Sequence, residues 1–496
     1  MAAFATPPLG EYPVIPPVRE GAMAHSKPFV AKADYQTPLG FPGELVPDWE
    51  KVAVTKLGEL VSQSRALQVF LDSCVKCGAC TDKCHYYLGT SDPKNMPVAR
   101  QDLLRSVYRR YYTFAGKYFP KLVGARDMTR EVLDDWYSYF HQCSQCRRCS
   151  VFCPYGIDTA EISMAARDIM DSVGLGQKYS NEIIGKVHKI GNNLGLPGPA
   201  LRNTLDGLEE DVKEATGVDV RFPLDQKGAE VLLVTPSADF FAEPHIDGLI
   251  GYAKVLHAAG ISWTFSSHAS EAANFSLFIG NHDNLQKVAG RIREAALDLG
   301  VKRIVVGECG HAWRVAYSFW NTLIGPFEFL DPRYPVPQHI CEVTYDLIRR
   351  GALTLDKSAN DGKVVTFHDS CNVSRGSRMG DVPGGQFVIP REIIRACVNK
   401  FVDMAPETIG ETTFCCGGGG GLLTDDLLEL RVKGALPRMQ ALQQVVEEHG
   451  VNYMAAICAI CKSQFTKVLP YYKHPMDMIG SVHGLVSNAI VLGPKQ

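Results

Sequence analysis

A pair of adjacent cysteines, Cys415-Cys416, is followed at once by five glycines at positions 417–421. Neighbouring thiols meet the geometry of a disulfide poorly, and glycine lets the backbone take positive φ values and approach a bulky group closely. Three further cysteines flank the pair in sequence, Cys371 before it and Cys458 and Cys461 after it. Thiolates are soft ligands that suit iron-sulfur chemistry. We therefore predict that these five cysteines bind one cluster that is larger or more open than a four-cysteine cubane.

Eight other cysteines form two runs with the same spacing, C-x2-C-x2-C-x3-C. The runs are Cys74, Cys77, Cys80, Cys84 and Cys143, Cys146, Cys149, Cys153. This spacing is typical of bacterial ferredoxins, in which the fourth cysteine of each run binds the other cluster. We predict one [4Fe-4S] cluster on Cys74, Cys77, Cys80 and Cys153, and a second on Cys143, Cys146, Cys149 and Cys84. Zinc is the alternative, although zinc sites usually present their cysteines as two separated pairs.

Three local features bear on these predictions. His85 stands where a proline normally follows the first run, whereas Pro154 follows the second. The pair Cys458-x-x-Cys461 could alternatively be a thioredoxin-like redox pair, but that interpretation leaves Cys371 and the Cys415-Cys416 pair unexplained. The glycines lack the Lys-Ser/Thr ending of a phosphate loop, so a nucleotide site is not expected.

The elements that must position these cysteines follow a repeated pattern. Short apolar strands are predicted at 231–234, 304–306, 364–367 and 453–457, with helices near 246–258, 286–299, 391–400 and 437–448, which is α/β patterning. The segment Thr264-Phe265-Ser266-Ser267 aligns with Thr413-Phe414-Cys415-Cys416, and Cys309-Gly310-His311 aligns with Cys458-Ala459-Ile460. We interpret this as an internal duplication in which the first copy has lost its metal site and retains only Cys309.

The order Cys371, Cys415-Cys416-Gly417 and Cys458-x-x-Cys461 resembles the CCG domain of heterodisulfide reductase catalytic subunits. The two preceding ferredoxin runs resemble the fused architecture of that family. The order is most similar to the heterodisulfide-reductase-like DsrK group, whose members belong to the DsrMKJOP membrane complex associated with dissimilatory sulfite reductase. The resemblance covers residues 54–480, although the spacing from Cys371 to Cys415 is longer than the usual family pattern.

The resemblance implies a noncubane [4Fe-4S] cluster on the five C-terminal cysteines, at which a disulfide is cleaved. Because a cubane passes one electron at a time and reduction of a disulfide takes two, the active site must hold a half-reduced sulfur species. The two ferredoxin clusters would then carry electrons from a donor to the catalytic cluster. The implied protein is a cytoplasmic subunit on the inner membrane that exchanges electrons between a quinone-linked cytochrome b and a disulfide or trisulfide of the sulfur carrier DsrC. If the two copies pack as in the family, Cys309 and His311 face the cluster and could bind sulfur or supply a proton.

Other interpretations remain open from the sequence. Cys309 and His311 could be a buried free thiol and a helix-capping histidine. An iron-sulfur subunit of a glycerol-3-phosphate, glycolate or lactate oxidising complex would share the ferredoxin and CCG modules. A pure electron-transfer or assembly subunit, with structural zinc on the C-terminal cysteines, is a third possibility.

Composition limits the class of protein. The chain of 496 residues suffices for roughly three domains, and a net charge of −3 gives no bulk attraction to nucleic acid. Sixteen cysteines without a secretory signal indicate a reducing compartment. No stretch reaches the ~18 apolar residues that span a bilayer. We expect a cytoplasmic protein that meets the membrane through a partner or a surface contact.

We predict a multidomain fold with α+β and α/β parts, in which a helical two-cluster ferredoxin-like domain precedes a duplicated α/β CCG domain. The predicted boundaries are a proline-rich extended arm at 1–52, the ferredoxin-like domain at 53–190, a linker at 191–228, the repeat without a cluster at 229–340 and the repeat with the noncubane cluster at 341–496. The segment Val98 to Tyr112 is predicted to be an amphipathic helix, with a basic face that is either solvated or docked on a partner or anionic headgroups.

Overall fold

The computed structural model describes residues 33–42, 44–424 and 427–493. The chain divides into two compact units. The first comprises the described residues up to Gly185 together with Phe275–Asn284 and Phe414–Met439, and the second comprises Lys186–Asn274, Leu285–Thr413 and the described residues from Gln440 onward. Within the described residues, no helix is long and apolar enough to cross a membrane.

Helices dominate the described residues, and the short parallel strands found among these residues begin at Val231. The helices in the first half are α1 (Ala33–Gln36), α2 (Trp49–Gln63), α3 (Arg65–Ser73), α4 (His85–Thr90), α5 (Pro97–Tyr112), α6 (Phe114–Tyr118), α7 (Arg130–His141), α8 (Arg148–Val151), α9 (Thr159–Ser172), α10 (Lys178–Ile190) and α11 (Gly198–Thr216). Those in the second half are α12 (His245–Ala258), α13 (Ser276–Ile279), α14 (His282–Leu299), α15 (Gly310–Val315), α16 (Asn321–Leu323), α17 (Ile340–Arg349), α18 (Cys371–Ser374), α19 (Gly385–Cys397), α20 (Leu428–His449), α21 (Ala459–Val468) and α22 (Val482–Ala489). The strands are β1 (Val231–Val234), β2 (Trp263–Thr264), β3 (Arg303–Val306), β4 (Gln338–His339), β5 (Val365–His368), β6 (Tyr453–Ala456) and β7 (Ile479–Ser481).

The first unit is a helical domain around one apolar core. Leu57, Leu104, Trp136 and Ile169 are buried in this core, and Leu422, from the glycine-rich segment, is buried in the same core. Side-chain caps start several of these helices, as at α7, where the Thr129 hydroxyl accepts a hydrogen bond from the Val132 amide. The core therefore connects the cysteine runs with a segment that lies more than 250 residues further along the chain.

The second unit contains two separate parallel sheets, as expected for α/β patterning. One sheet has the strand order β2-β1-β3-β4 and the other has the order β5-β6-β7. All strand pairs in both sheets are parallel. Because parallel strands end at the same edge of a sheet, Cys309 follows β3 at this edge of the first sheet, and Cys458 follows β6 at this edge of the second sheet.

Two predicted segments differ from the structure. The linker predicted at 191–228 contains the 19-residue helix α11, which buries Leu201, Leu205 and Leu208 on one face. Pro197 and Gly198 therefore start a helix there, in keeping with the preference for proline at a helix N-terminus. Of the arm predicted at 1–52, residues 1–32 lie outside the described residues, and the described part is helical at α1 and at the start of α2.

The basic side of α5 also differs from the prediction. Arg100 and Arg105 are almost completely buried. The Arg100 guanidinium donates to the Tyr139 carbonyl at 2.8 Å, and the Arg105 guanidinium donates to the Leu71 carbonyl at 2.8 Å. Since these arginines satisfy backbone carbonyls inside the domain, α5 does not present a solvated basic face at these positions.

Candidate iron-sulfur centres and thiol cluster

Two cavities in the first unit are lined by the cysteines of the two runs. One cavity is lined by Cys74, Cys77, Cys80 and Cys153 together with Cys149. The other is lined by Cys84, Cys143, Cys146 and Cys149. Each cavity thus collects three cysteines from one run and the fourth from the other. This all-thiol donor set fits a four-cysteine iron-sulfur cluster.

The two runs share an unusual backbone conformation, with positive φ values at matching positions. Lys76 and Gly78 have positive φ values in the first run, and Gln145 and Arg147 have them at the matching positions of the second. Non-glycine residues adopt such values infrequently. The repeated left-handed residues on both sides of Cys77 and Cys146 explain how each run curls around its cavity.

The pKa values of the cavity thiols are shifted in different directions. Burial alone would raise the pKa of Cys84, but the adjacent Arg100 guanidinium and His85 lower it below its ordinary value. Burial raises the pKa of Cys80 to about 11 and that of Cys149 to about 12. A bound cation would offset the cost of ionising such buried thiols, as metal binding does generally.

The segment Phe414–Gly421, here called the CCG loop, belongs to the first unit. Cys415 and Cys416 are buried in it. A Cβ atom on Gly420 would lie 2.7 Å from the Cys143 carbonyl oxygen, and one on Gly421 would lie 2.3 Å from the Gln177 side chain. Both glycines also have positive φ values. The glycine run is therefore required because the backbone of this loop packs directly on the second ferredoxin run.

The buried Arg167 joins the CCG loop to that run. The Arg167 guanidinium donates to the Gly420 carbonyl at 2.8 Å and to the Cys143 carbonyl at 2.7 Å. It donates also to the carbonyls of Phe140 and Phe278. Nothing in the local sequence around Arg167 predicted this role, because its acceptors are backbone atoms from distant segments.

His85 and Tyr86 form a second connection between the same two segments. The His85 ring contacts the Gly434 carbonyl through Nδ1 and the Ser144 hydroxyl through Nε2, both at 2.7 Å. Burial would lower the pKa of His85, but its contact with Cys415 raises the pKa above the ordinary value. The Tyr86 hydroxyl donates to the Gly417 carbonyl at 2.6 Å. The histidine that replaces the usual proline thus lies beside Cys84 in sequence and beside Cys415 in space.

Cys458 contacts two other cysteines in the second unit, Cys309 and Cys461. Hydrogen bonds from Cys309 and Cys461 lower the pKa of Cys458 well below its ordinary value, and the same contact raises the pKa of Cys309. Cys309 and Cys458 cap α15 and α21 with nearly equal backbone angles, φ −141° and ψ 111° against φ −141° and ψ 122°. Cys309, which was identified only by the alignment of the two copies, therefore lies in sulfur contact with Cys458, one of the predicted ligands.

Cys371 lies at the first position of α18, directly after Ser370, whose side chain lies beside Cys458. A Cβ atom on Gly310 would lie 2.3 Å from the Ser370 hydroxyl oxygen, so α15 and α18 meet through a residue without a side chain. The structure therefore gathers Cys371, Cys309, Cys458 and Cys461 around the starts of three helices in the second unit, whereas Cys415 and Cys416 belong to the first unit.

His311 is completely buried near Cys458. Burial lowers its pKa to about 3, so the imidazole is neutral at physiological pH. The next turn of the same segment carries Arg314, whose guanidinium donates to Asn372 at 3.2 Å. A neutral imidazole can donate one hydrogen bond and accept another, which is consistent with a role in positioning.

Asp369 has a structural role that the sequence did not reveal. Its carboxylate accepts two hydrogen bonds from Arg391, both at 2.8 Å, and one from the Gly410 amide at 2.9 Å. The Thr413 hydroxyl donates to the Asp369 carbonyl at 3.0 Å. Asp369 therefore fixes the segment that precedes Cys371 against the segment that leads into the CCG loop. The only available signal was a carboxylate at the end of a predicted strand.

A buried charge network lies behind the thiol cluster in the second unit. The Lys462 ammonium, next to Cys461 in sequence, lies 3.7 Å from Glu308 and 4.0 Å from Asp239. Glu308 also accepts a hydrogen bond from His483 at 2.6 Å. Burial would raise the pKa of Glu308, but His483 and Lys462 lower it, so the carboxylate remains ionised. The Lys462 side chain thus lies close to two buried acidic side chains, and buried ionic groups require such partners.

The chain is similar to known iron-sulfur proteins. Residues 70–157 match the family model "4Fe-4S dicluster domain". The chain is 41% identical to "Hdr-like menaquinol oxidoreductase iron-sulfur subunit 2" of Archaeoglobus fulgidus over 480 residues, which cover 90% of the chain and 85% of that relative. It is 40% identical to the corresponding protein of Archaeoglobus profundus, with 90% and 84% covered. The chain belongs to this family of Hdr-like iron-sulfur subunits.

A more distant relative is a component of a heterodisulfide reductase. The chain is 25% identical to one component of the dihydromethanophenazine:CoB–CoM heterodisulfide reductase of Methanosarcina mazei, over 86% of the chain and 95% of that relative. No solved structure matches the chain. The predicted resemblance to heterodisulfide reductases is thus confirmed at the level of the Hdr-like family, and the protein is an iron-sulfur oxidoreductase subunit.

Proposed function

We propose that this Hdr-like protein is the catalytic subunit of a membrane-associated, quinone-linked complex. It exchanges electrons between a cytochrome b partner and a disulfide or trisulfide carried by a small protein like DsrC, in dissimilatory sulfur metabolism. Membership of the Hdr-like menaquinol oxidoreductase family supports the quinone-linked part. The similarity to the heterodisulfide reductase component of Methanosarcina mazei supports the sulfur part.

The observation that carries this proposal is the packing of the CCG loop on the second ferredoxin run. Gly420 approaches the Cys143 carbonyl, Arg167 donates to both segments and His85 contacts Cys415. Such close packing suits electron transfer between a cluster in the Cys84 cavity and a reacting group at Cys415. A pure assembly protein would have no reason to place a glycine-rich cysteine pair against a ferredoxin run.

The residues that would hold the cofactors follow from the donor sets. The two cavities provide cysteines for two cubane [4Fe-4S] clusters. The noncubane cluster is proposed on Cys371, Cys415, Cys416, Cys458 and Cys461, on the sequence pattern and the family relationship alone. When bound, these clusters supply one-electron transfer and an iron site for substrate sulfur.

The remaining chemistry falls to residues of the chain. Cys309 contacts Cys458 and can hold or exchange a proton with substrate sulfur at its Sγ atom, and His311 orients this region as a neutral imidazole. We also propose that the sheets β2-β1-β3-β4 and β5-β6-β7 are the two copies of one ancestral unit. The matching cap geometry of Cys309 and Cys458 supports this duplication.

Single replacements of Cys415 and Cys416 by serine test the proposal. Disulfide or trisulfide reduction should fall by more than about a hundredfold, while the electron paramagnetic resonance signals of two cubane clusters should remain. The matched control is Cys341→Ser, because Cys341 is also buried but lies outside all three ligand sets. Full sulfur-reducing activity in both variants, or iron near eight atoms per chain with no third signal in the wild type, would contradict the proposal.

The rival function is electron transfer in a glycerol-3-phosphate, glycolate or lactate oxidising complex, where a flavoprotein partner would carry out the chemistry. The Hdr-like and heterodisulfide reductase names of the relatives do not favour it. Copurification separates the two, because a flavoprotein among the neighbouring subunits would favour the rival and a cytochrome b would favour our proposal.

A further inference from the structure

A stretch of eleven residues in the first unit exposes an unusual number of large apolar side chains. Phe114 is 74% exposed, Tyr118 66%, Phe119 54% and Leu122 84%, and Tyr112 is also exposed. Elsewhere in the described part of the chain, no stretch of this length exposes more than two such residues. Clustered exposed apolar side chains indicate an interaction surface, whereas single ones do not.

The exposed side chains are presented by a well-packed backbone. The Thr113 hydroxyl caps α6 by accepting a hydrogen bond from the Gly116 amide. A Cβ atom on Gly116 would lie 1.8 Å from the Arg109 carbonyl oxygen, so α6 packs directly against the end of α5. The Arg109 guanidinium then donates to the Val123 carbonyl at 3.0 Å, and this bond fixes the far side of the segment.

The same segment carries positive charge. Lys117 and Lys121 are exposed between the aromatic residues. No acidic residue occurs between Thr113 and Arg126. The nearest one, Asp127, pairs with Arg110 at 2.6 Å. In the described parts of the chain, neither lysine forms an ion pair.

We propose that this aromatic-lysine surface, formed by Phe114, Lys117, Tyr118, Phe119, Lys121 and Leu122, binds the headgroup layer of an anionic lipid bilayer. Aromatic rings and leucine at the level of the headgroups, with lysines beside them, are the composition of interfacial membrane anchors. Lysine is depleted in protein–protein interfaces, so the composition favours lipid over a protein partner.

This inference goes beyond the proposed function and does not depend on the sulfur chemistry. A short surface of this kind gives weak, reversible membrane binding by itself, and stable attachment takes a second contact. Partner subunits of a membrane complex would supply that second contact. The surface would then orient the first unit on the bilayer.

Flotation of the full-length, iron-loaded protein with lipid vesicles tests the inference. The protein should float with vesicles that contain phosphatidylglycerol and should float much less with phosphatidylcholine alone. Replacing Lys117 and Lys121 with glutamine should weaken binding about fivefold for each lysine. The triple variant Phe114→Ser, Phe119→Ser, Leu122→Ser should weaken it by about tenfold or more.

The variant Val336→Ser serves as the control, because Val336 is a half-exposed apolar residue of the second unit. Iron content and the unfolding midpoint of each variant verify that the fold is intact. Absence of binding to phosphatidylglycerol vesicles, or equal binding by all variants, would overturn the inference. A third result would also overturn it: the wild type binds no vesicles, and the variants lose binding to detergent-solubilised partner subunits. The surface would then be a protein contact.

Discussion

At the scale of single residues, His85 shows how a departure from a motif acquires a function in the folded protein. A proline at this position would lack both ring nitrogens and the amide hydrogen. The imidazole instead contacts the Gly434 carbonyl and the Ser144 hydroxyl, and it lies against Cys415. One side chain therefore holds together the first ferredoxin run, the second ferredoxin run and the CCG loop.

Replacing His85 with alanine should lower the free energy of unfolding by about 1–3 kcal/mol, because two buried polar partners lose their hydrogen bonds. It should also change the electron paramagnetic resonance spectrum of the cluster bound at Cys84, since hydrogen bonds and packing tune cluster electronics. Both effects are measured on the iron-loaded protein, by denaturant unfolding and by spectroscopy.

Two variants make the His85 experiment specific. His85→Gln keeps a hydrogen-bonding side chain and should restore part of the lost stability. His449→Ala removes an exposed histidine of α20 and should change neither quantity. If His85→Ala behaves like His449→Ala, the bridging role of His85 is wrong.

At the scale of elements, α9 is notable because it is buried on nearly every side although it carries charged residues. Arg167, Asp168 and Asp171 are all buried. Burial raises the pKa of Asp171 to about 7. The hydrogen bond from Asn181 and the charge of Lys56 lower this pKa, and the charge of Asp168 raises it. A helix with this sequence would ordinarily be expected to place its charges in water, and only its neighbours in the helical domain explain their burial.

The raised pKa of Asp171 predicts a pH dependence of stability. The unfolded carboxyl ionises near pH 3.8 and the folded one near pH 7, so the stability contributed by neutral Asp171 is complete at low pH. It is lost as the pH rises toward 7, at roughly 1.4 kcal/mol for each pH unit. Asp171→Asn should remove this loss and be more stable than the wild type at pH 8.

Denaturant unfolding of both proteins between pH 4 and pH 8 checks this, because the difference between them cancels the other titrating groups. Asn181→Ala is the companion variant, since it removes the hydrogen bond to Asp171 at 2.8 Å without removing the carboxyl. A constant difference between wild type and Asp171→Asn across this range would contradict the prediction.

At the scale of the whole chain, exposure falls from the first ferredoxin cavity to the CCG loop within the first unit. Cys77 is exposed, Cys84 is buried and Cys415 is fully buried. Val75 and Tyr155, beside the first cavity, are exposed as well. Electrons would therefore enter or leave the protein at the cluster on Cys74, Cys77, Cys80 and Cys153, and the buried end would serve the substrate chemistry.

This gradient predicts the order in which iron is lost. Oxidative treatment with a chelator should remove the cluster at Cys77 first, because reagents reach exposed ligands sooner. Spectra recorded during the treatment should lose one cubane signal while the other and any third signal persist. Loss of the cluster in the Cys84 cavity first, or simultaneous loss of all signals, would show that the gradient does not govern access.

Local sequence determined much of what could be predicted for this protein, because many of its candidate ligands are only a few positions apart. The ferredoxin cysteines are separated by two or three residues, and this short spacing predicted which of them bind one cluster. Apolar segments predicted β1, β3, β5 and β6 to within one residue and helices that overlap α12, α14, α19 and α20, but the short strands β2, β4 and β7 were not predicted. The motif order indicated the Hdr-like family, and the comparisons confirmed it.

Tertiary structure decided what depends on residues far apart in sequence. The packing of Gly420 on Cys143 and the arginine bonds of Arg167 join segments more than 250 residues apart, so no local pattern encodes them. The same is true of the burial of Arg100 and of the exposure of Phe114 and Leu122, because a side chain's environment depends on which elements cover it. Sequence alone identified the cysteines, and the fold decided which of them lie together and which residues hold them there.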